Sequence, residues 1–339
     1  MSPKNSDSME TQRAALLSKL ALTDQDGAGF EALALDIFRY QAENNALYAR
    51  FLELLGRNPA AINRLEQIPF LPISFFKTHR VQTGEWSETT AFTSSGTTGQ
   101  TPSRHLVRDL DVYTHNCVRG FAPLYGPPEN WLVLALLPAY LERTGSSLVV
   151  MADDFIRRSR FPESGFFLNN LADLADVLAR RAPGTPVLLL GVSFALLDFA
   201  EQFPMNLSGV TIMETGGMKG RRKEITRTEL HNILTKAFGV EAIHSEYGMT
   251  ELFSQGYARG GSVFTPSATM RVVITEINDP FCWAKPGRPG QVNIVDLANV
   301  DTCSFIATED LGRSWPNGTF EILGRMDTAE MRGCNLMVE

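Results

Sequence analysis

The chain has 339 residues, 44% of them hydrophobic and 20% charged, with a net charge of −7. That composition supports a large buried core, and the length favours two or three packed subdomains. An acidic balance excludes a nucleic-acid surface, which needs a basic stripe; the short cluster Arg221-Arg222-Lys223 runs straight into Glu224. Cys117, Cys282, Cys303 and Cys334 lack C-x-x-C spacing, which excludes a zinc ribbon and a disulfide framework and suits a reducing cytoplasm. The N-terminus is polar and leads into no signal-type apolar run, and the apolar stretches 131–137 and 187–197 are too short or too broken to span a bilayer. A soluble cytoplasmic protein is expected.

Residues 9–55 read as helical, with Leu16, Leu17 and Leu20 and then Phe30, Leu33, Ile37 and Phe38 at helical spacing. Gly56 and Asn58-Pro59 end that region. The proline-spaced run 68–77 is expected to be extended, either as a strap over the core or as the wall of an apolar site. A helix is expected over 109–124, with Asp109 at its start. Strands are expected at 131–137, 146–151, 187–190 and 210–213, and helices at 171–181 and 194–203. Alternating strands and helices predict an α/β sheet covered by helices. From about residue 262 short β-rich runs follow at 263–264, 270–277, 290–297 and 303–308, separated by Asn-Asp-Pro and Pro-Gly turns. The chain divides on this reading into a helical segment and strap (1–85), an α/β core (86–261), a β-rich subdomain (262–325) and a hinge-like tail bearing Cys334 (326–339).

Four stretches carry chemistry. In Thr93-Ser94-Ser95-Gly96-Thr97-Thr98-Gly99, glycines free the backbone N–H groups and hydroxyls add rotatable donors, a composition suited to a phosphate clamp or to an ordinary polar loop. It is not a P-loop, because no lysine follows Gly99. In His244-Ser245-Glu246-Tyr247-Gly248-Met249-Thr250-Glu251, the Glu251 carboxylate suits a magnesium ion shared with substrate phosphates, and Tyr247 suits a base or ribose; a turn with a surface glutamate is the plainer reading. Asp310, in Thr308-Glu309-Asp310-Leu311-Gly312, has the chemistry to accept from ribose hydroxyls. Arg325, in Gly324-Arg325-Met326-Asp327, offers a planar donor fork.

Taken in this order, the four stretches resemble the adenylate-forming superfamily of acyl- and aryl-CoA ligases, luciferases and nonribosomal adenylation domains. Within it the chain is most similar to the LuxE-type acyl-protein synthetases, through the proline-spaced run 68–77, the Ser-Glu-Tyr-Gly-Met-Thr-Glu-Leu run and the terminal Arg332-Gly333-Cys334. The resemblance covers about residues 60 to 339 and implies the large N-terminal domain of that fold, with the C-terminal lid domain absent. It implies ATP and Mg2+ as cofactors, with Ser94, Ser95, Gly96, Thr97, Thr98 and Gly99 on the phosphates and Thr97 and Glu251 on the metal. Gly216, Gly217, Tyr247, Gly248 and Thr250 would line the adenine side, and Asp310 and Arg325 the ribose. His244 would stand where acyl group and α-phosphate meet, or be a satisfied core histidine, and Cys334 would accept the acyl group as a thioester.

The function so implied is ATP-dependent activation of a carboxylic, fatty acid as acyl-adenylate, then transfer to a protein cysteine. The acyl group would pass on to an acyl-protein reductase or an acyl-carrier partner. An AMP-forming acyl- or aryl-CoA ligase and an inactive nucleotide-binding subunit are the alternatives. Two departures stand out: the phosphate loop has no lysine, leaving Arg104 as the nearest basic substitute, and the lid's catalytic lysine has no counterpart.

Overall fold

The computed structural model describes residues 3–23, 29–94, 101–138, 145–168, 170–217, 222–223 and 225–326. The N-terminal third is α1 (Pro3–Ala21), α2 (Phe30–Asn44), α3 (Ala46–Leu54), the short strand β1 (Leu71–Pro72) and the one-turn α4 (Phe75–Thr78). A hairpin follows, β2 (Thr90–Thr93) and β3 (Arg104–Val107), then α5 (Leu110–Tyr125). The alternating region is β4 (Leu132–Leu136), α6 (Ser147–Arg158), β5 (Gly165–Phe167), α7 (Leu171–Arg180), β6 (Val187–Val192), α8 (Ser193–Gln202), β7 (Val210–Thr215), α9 (Arg227–Phe238) and β8 (His244–Tyr247). The remainder is β: β9 (Gly256–Ala258), β10 (Val263–Pro266), β11 (Met270–Glu276), β12 (Asp279–Trp283), β13 (Gly290–Asp296), β14 (Phe305–Ser314) and β15 (Phe320–Arg325).

One sheet runs through both halves in the order β12-β11-β13-β14-β15-β10-β9-β8-β7-β6-β4-β5, with β1 attached to β14. The strands β5, β4, β6, β7 and β8 are parallel, whereas β9 returns antiparallel to β8 and β10 to β9, so the sheet crosses residue 262 unbroken. The path moves from β4 outward to β5 and then back past β4 to β6. Right-handed crossovers therefore put α6 on one face and α7, α8 and α9 on the other. Apolar strands such as β4 and β6 are buried along their whole length, as a sheet covered on both faces demands.

The run 68–77 is tied to the sheet: Leu71 and Pro72 pair in parallel with Ile306 and Ala307, and Ile73 N donates to the Ala307 carbonyl at 2.9 Å. Phe76 is buried beneath it.

Two local expectations are corrected. Residues 146–151 are not a strand. Ser146 caps α6 by accepting from Val149 N at 3.3 Å, and Met151, Ala152 and Phe155 form its buried stripe. The apolar Leu-Val-Val-Met run has strand-like residues but sits within a longer 3.6-residue period. The Asn-Asp-Pro segment leads not only into a turn but into β12, an edge strand, where proline costs no ladder hydrogen bond.

Close approach of backbone sets the register that matters most. A Cβ on Gly312 would lie 2.5 Å from the Glu321 carbonyl oxygen, so glycine alone lets β14 and β15 pair with Asp310 opposite Arg325. Gly312→Ala should lower the free energy of unfolding by about 1–3 kcal/mol, read from urea denaturation. An unchanged midpoint would mean that the strands part at no cost.

Candidate active site

The carboxyl ends of the parallel strands gather the sequence-singled residues at one edge. Thr215 is in register with Glu246, so Gly216-Gly217, leaving β7, emerges beside Tyr247-Gly248, leaving β8. Gly216 has φ +68, a left-handed conformation that turns the chain away from the strand. Its carbonyl accepts from Ser193 Oγ at 3.1 Å. The chain reverses between β4 and β6, and the crevice at such a reversal is where open α/β sheets bind ligands. A cleft of ≈ 390 Å³ lies there, with Leu136, Leu168, Phe194 and Phe203 on its walls and Asp198 and Gln202 among its polar groups.

Tyr247 is buried, and its hydroxyl donates to Asp310 Oδ2 at 2.9 Å, while Arg325 Nε lies 3.7 Å from Asp310 Oδ1. The Tyr247 ring packs on Phe264 and Phe320 at centroid distances of 5.9 and 5.4 Å. Burial raises the Asp310 carboxyl above its usual range, against the Tyr247 hydroxyl and the Arg325 charge. Tyr247 thus stands as a support for Asp310 as well as a wall of the edge, a contact across 63 residues that its sequence neighbourhood does not reveal.

Glu251 is buried in the turn after β8, and its carboxyl is raised chiefly by desolvation. The Ser103 hydroxyl and its own backbone oppose that rise, with Arg325 and Lys77 as the cations acting at longer range. Lys77, at the end of α4, lies 4.0 Å from Glu309 and is a basic residue that sequence reasoning passed over. A buried carboxylate without a contacting cation fits a divalent ion shared with substrate oxygens. Among the described residues no three His, Cys, Asp or Glu side chains cluster as a metal cage, so Glu251 would contribute one protein ligand only.

The hairpin that bears the hydroxyl/glycine loop is anchored at its base. Ser94 N donates to the Ser103 carbonyl at 3.1 Å, and Ser103 N donates to Ser94 Oγ at 2.8 Å. Ser95, Gly96, Thr97, Thr98, Gly99 and Cys334 lie outside the described residues. Arg104 does not stand free as a substitute for the absent lysine: its Nη2 is 2.6 Å from Glu88 Oε1, while Arg80 holds the other Glu88 oxygen at 2.6 Å.

His244 is likewise not brought to this edge. It begins β8, three residues and about 10 Å of strand before Tyr247. Its Nδ1 is 3.0 Å from the Tyr125 hydroxyl, and burial together with Arg259 lowers it to about 4. It is a neutral, partnered interior histidine. The histidine that reaches the site is His105, fully buried, with Nδ1 2.9 Å from the Thr250 carbonyl and Nε2 3.0 Å from Thr302 Oγ1. Asn299 Nδ2 adds a bond to the Glu251 carbonyl at 2.8 Å. The one sequence signal for His105 was a polar residue directly before the apolar pair Leu106-Val107.

The fold has known parallels. Over 89% of this chain and 71% of the other, it is similar to an open conformation of 2-hydroxyisobutyryl-CoA ligase in complex with 2-HIB-AMP and CoA, with a TM-score of 0.67 and 16% identity. ATP-bound MatB from Rhodopseudomonas palustris is similar over 71% of this chain, with a TM-score of 0.53 and 16% identity. An ATP-bound RpMatB-BxBclM chimera gives 0.55 at the same identity and coverage. The chain spans about half the length, 49%, of these last two proteins. At such identity the likeness establishes the fold, that of the N-terminal domains of adenylate-forming synthetases. No family model matches the sequence, and no curated protein matches it. No helix among the described residues is long and apolar enough to cross a membrane.

Beside this edge, Glu246 is buried and raised to about 7 by desolvation first, with Glu214 adding to it, even though the Thr215 hydroxyl donates to its carboxylate. Its folded pKa exceeds the unfolded 4.5, so the folded state binds the extra proton between those values. Its contribution is fully present below about 4.5 and is lost as pH rises through 7, on the order of 3 kcal/mol in all. Glu246→Gln, which keeps an acceptor for Thr215, should raise the urea midpoint over the parent at pH 8 and by less at pH 5. A difference independent of pH would remove the titration from Glu246.

Proposed function

We propose that the protein activates a carboxylic acid with ATP as its acyl-adenylate and passes the acyl group to a thiol. One observation carries this reading: four separate segments converge on the carboxyl edge of the sheet with complementary chemistry. They are the Ser94–Ser103 hairpin base, the Gly216-Gly217 exit, the Tyr247–Glu251 turn and the Asp310–Arg325 pair. The fold in which they converge is that of ligases whose structures hold acyl-AMP or ATP.

In the proposed reaction a carboxylate oxygen attacks the α-phosphorus of ATP, the bond to the β-phosphate oxygen breaks, and pyrophosphate leaves. A thiolate then attacks the acyl carbon, and AMP leaves. Asp310 Oδ2 is occupied by Tyr247, so Oδ1 is the oxygen left to accept from a ribose hydroxyl, with Arg325 steadying the charge. Hydroxyls and N–H groups of 94–99 would hold the β- and γ-phosphates, where preorganised donors are worth most. Mg2+, held by Glu251 and Thr97, would supply charge neutralisation on the phosphate chain. Lys77 and Arg325 are described cations whose fields reach Glu251.

The finer reading is a LuxE-type acyl-protein synthetase acting on fatty acids, with Cys334 as acceptor. It rests on the sequence resemblance; Cys117 and Cys303 are buried, with thiols pushed well up, Cys303 to about 12, away from the reactive thiolate, whereas Cys282 is exposed.

Pyrophosphate release should appear with ATP, Mg2+ and acids of suitable chain length, with no need for coenzyme A. Release that requires coenzyme A would favour the CoA-ligase alternative, and none with any acid would overturn the assignment. With a labelled fatty acid, a hydroxylamine-labile adduct should form and be lost in Cys334→Ala; equal labelling of that variant would exclude Cys334. Asp310→Ala should weaken ATP binding by about 1–3 kcal/mol in calorimetry, and unchanged affinity would take Asp310 out of the nucleotide site.

A further inference from the structure

We infer that His105 is a positioning residue: it clamps the Thr250–Glu251 turn to the base of the Ser94–Ser103 hairpin and so fixes where the Glu251 carboxylate stands. The inference rests on the ligase reading for its consequence, but its geometry stands apart from that reading.

Ser103 and His105 lie two residues apart across the start of β3 and therefore share a face. Both face the same turn. His105 Nδ1 meets the carbonyl of Thr250, the residue before Glu251, at 2.9 Å, and the Ser103 hydroxyl is close enough to the Glu251 carboxylate to oppose its rise. Ser103 is in turn bonded twice to Ser94. The turn that carries Glu251 is thus tied through β3 to Ser94, the described residue that opens the hydroxyl/glycine loop, although about 150 positions separate them in the chain.

The roles at the imidazole are determined by chemistry. A carbonyl oxygen only accepts, so Nδ1 carries the proton and donates to Thr250. Nε2 of the neutral ring then accepts from the Thr302 hydroxyl at 3.0 Å. The ring is wedged against Phe253 at 4.8 Å and Phe76 at 5.4 Å, and burial keeps it neutral, near pKa 4. Three segments of the chain thereby share one rigid group of fixed tautomer. A phenylalanine would fill the same space with neither bond.

That difference makes the test. His105→Phe keeps a ring and loses both bonds; His105→Asn keeps a donor close to the position of Nδ1 and loses the ring. Two readouts are taken on the full chain. In hydrogen exchange, His105→Phe should expose the Leu252 amide, which closes the turn on the Met249 carbonyl, at least tenfold faster while β6 and β7 keep their protection. In pyrophosphate release, it should raise the half-saturating Mg2+ concentration by tenfold or more, and His105→Asn should recover most of both effects. If His105→Phe behaves as the parent, or if His105→Asn is impaired as severely, the ring acts through packing and the inference fails. Should His105→Phe not fold, Thr302→Val removes only the hydroxyl that sets the tautomer. It should shift both readouts about threefold, with Thr302→Ser restoring them, and an unshifted Thr302→Val would overturn the inference. A parent that releases no pyrophosphate with any acid defeats the ligase reading alone; the exchange measurement still decides whether His105 positions the turn.

Discussion

The Asp296 carboxylate is fully buried, yet it accepts from Phe253 N at 2.7 Å, Ser254 N at 2.9 Å, Ser254 Oγ at 2.6 Å and Ala298 N at 3.0 Å. Burial raises its carboxyl, and four donors oppose the rise. A buried charge is tolerated only when its acceptor sites are filled, and filling them here fastens the chain just after Glu251 to the end of β13. The turn between β8 and β9 leaves the parallel part of the sheet and must come to rest against the antiparallel part. Asp296 sets where it rests, and Asn299, His105 and Ser103 complete the grip. The continuity of the sheet across β9 and β10 lets one set of polar contacts join elements from residue 94 to residue 325.

Desolvation is the common electrostatic theme of this edge. Glu246, Glu251, Asp296 and Asp310 are all raised by burial, while His105 is lowered by it. The carboxylates are held in place by hydroxyls and N–H groups more than by contacting cations. Arginine charges are spent elsewhere: Arg222 on Asp198 and Glu201, Arg227 on Glu214, Arg13 on Asp301, and Arg104 with Arg80 on Glu88. An edge rich in neutral donors and short of cation suits a substrate that arrives with its own divalent ion.

Much of the α/β order was legible because it rests on local signals. Asp109 before α5, Asn170 before α7 and Thr226 with Glu229 around α9 are caps that a sequence displays directly. Apolar runs such as Val187–Val192 declare a buried strand. The misreading at 146–151 came from residues of high strand preference whose helical face is completed only by Phe155. His105 was illegible because both of its partners, Thr250 and Thr302, are distant in sequence. The same holds for the choice of Arg104 for Glu88, where two arginines compete for one carboxylate.

By itself the sequence determined the kind of groups available: a hydroxyl/glycine loop, a Tyr-Gly-Met-Thr-Glu turn, an aspartate on a strand and an arginine after a glycine, in an order that resembles adenylate-forming enzymes. It also determined the alternation of elements that makes the parallel sheet. Only the tertiary structure decided which groups meet. Tyr247 is joined to Asp310, Ser103 to Ser94 and His105 to the Thr250–Glu251 turn, while His244 and Arg104 are drawn to other partners. The reason is physical: local propensity is set by neighbours within a few residues, but the partner of a buried polar group is set by whichever segments the sheet brings within 3 Å of it.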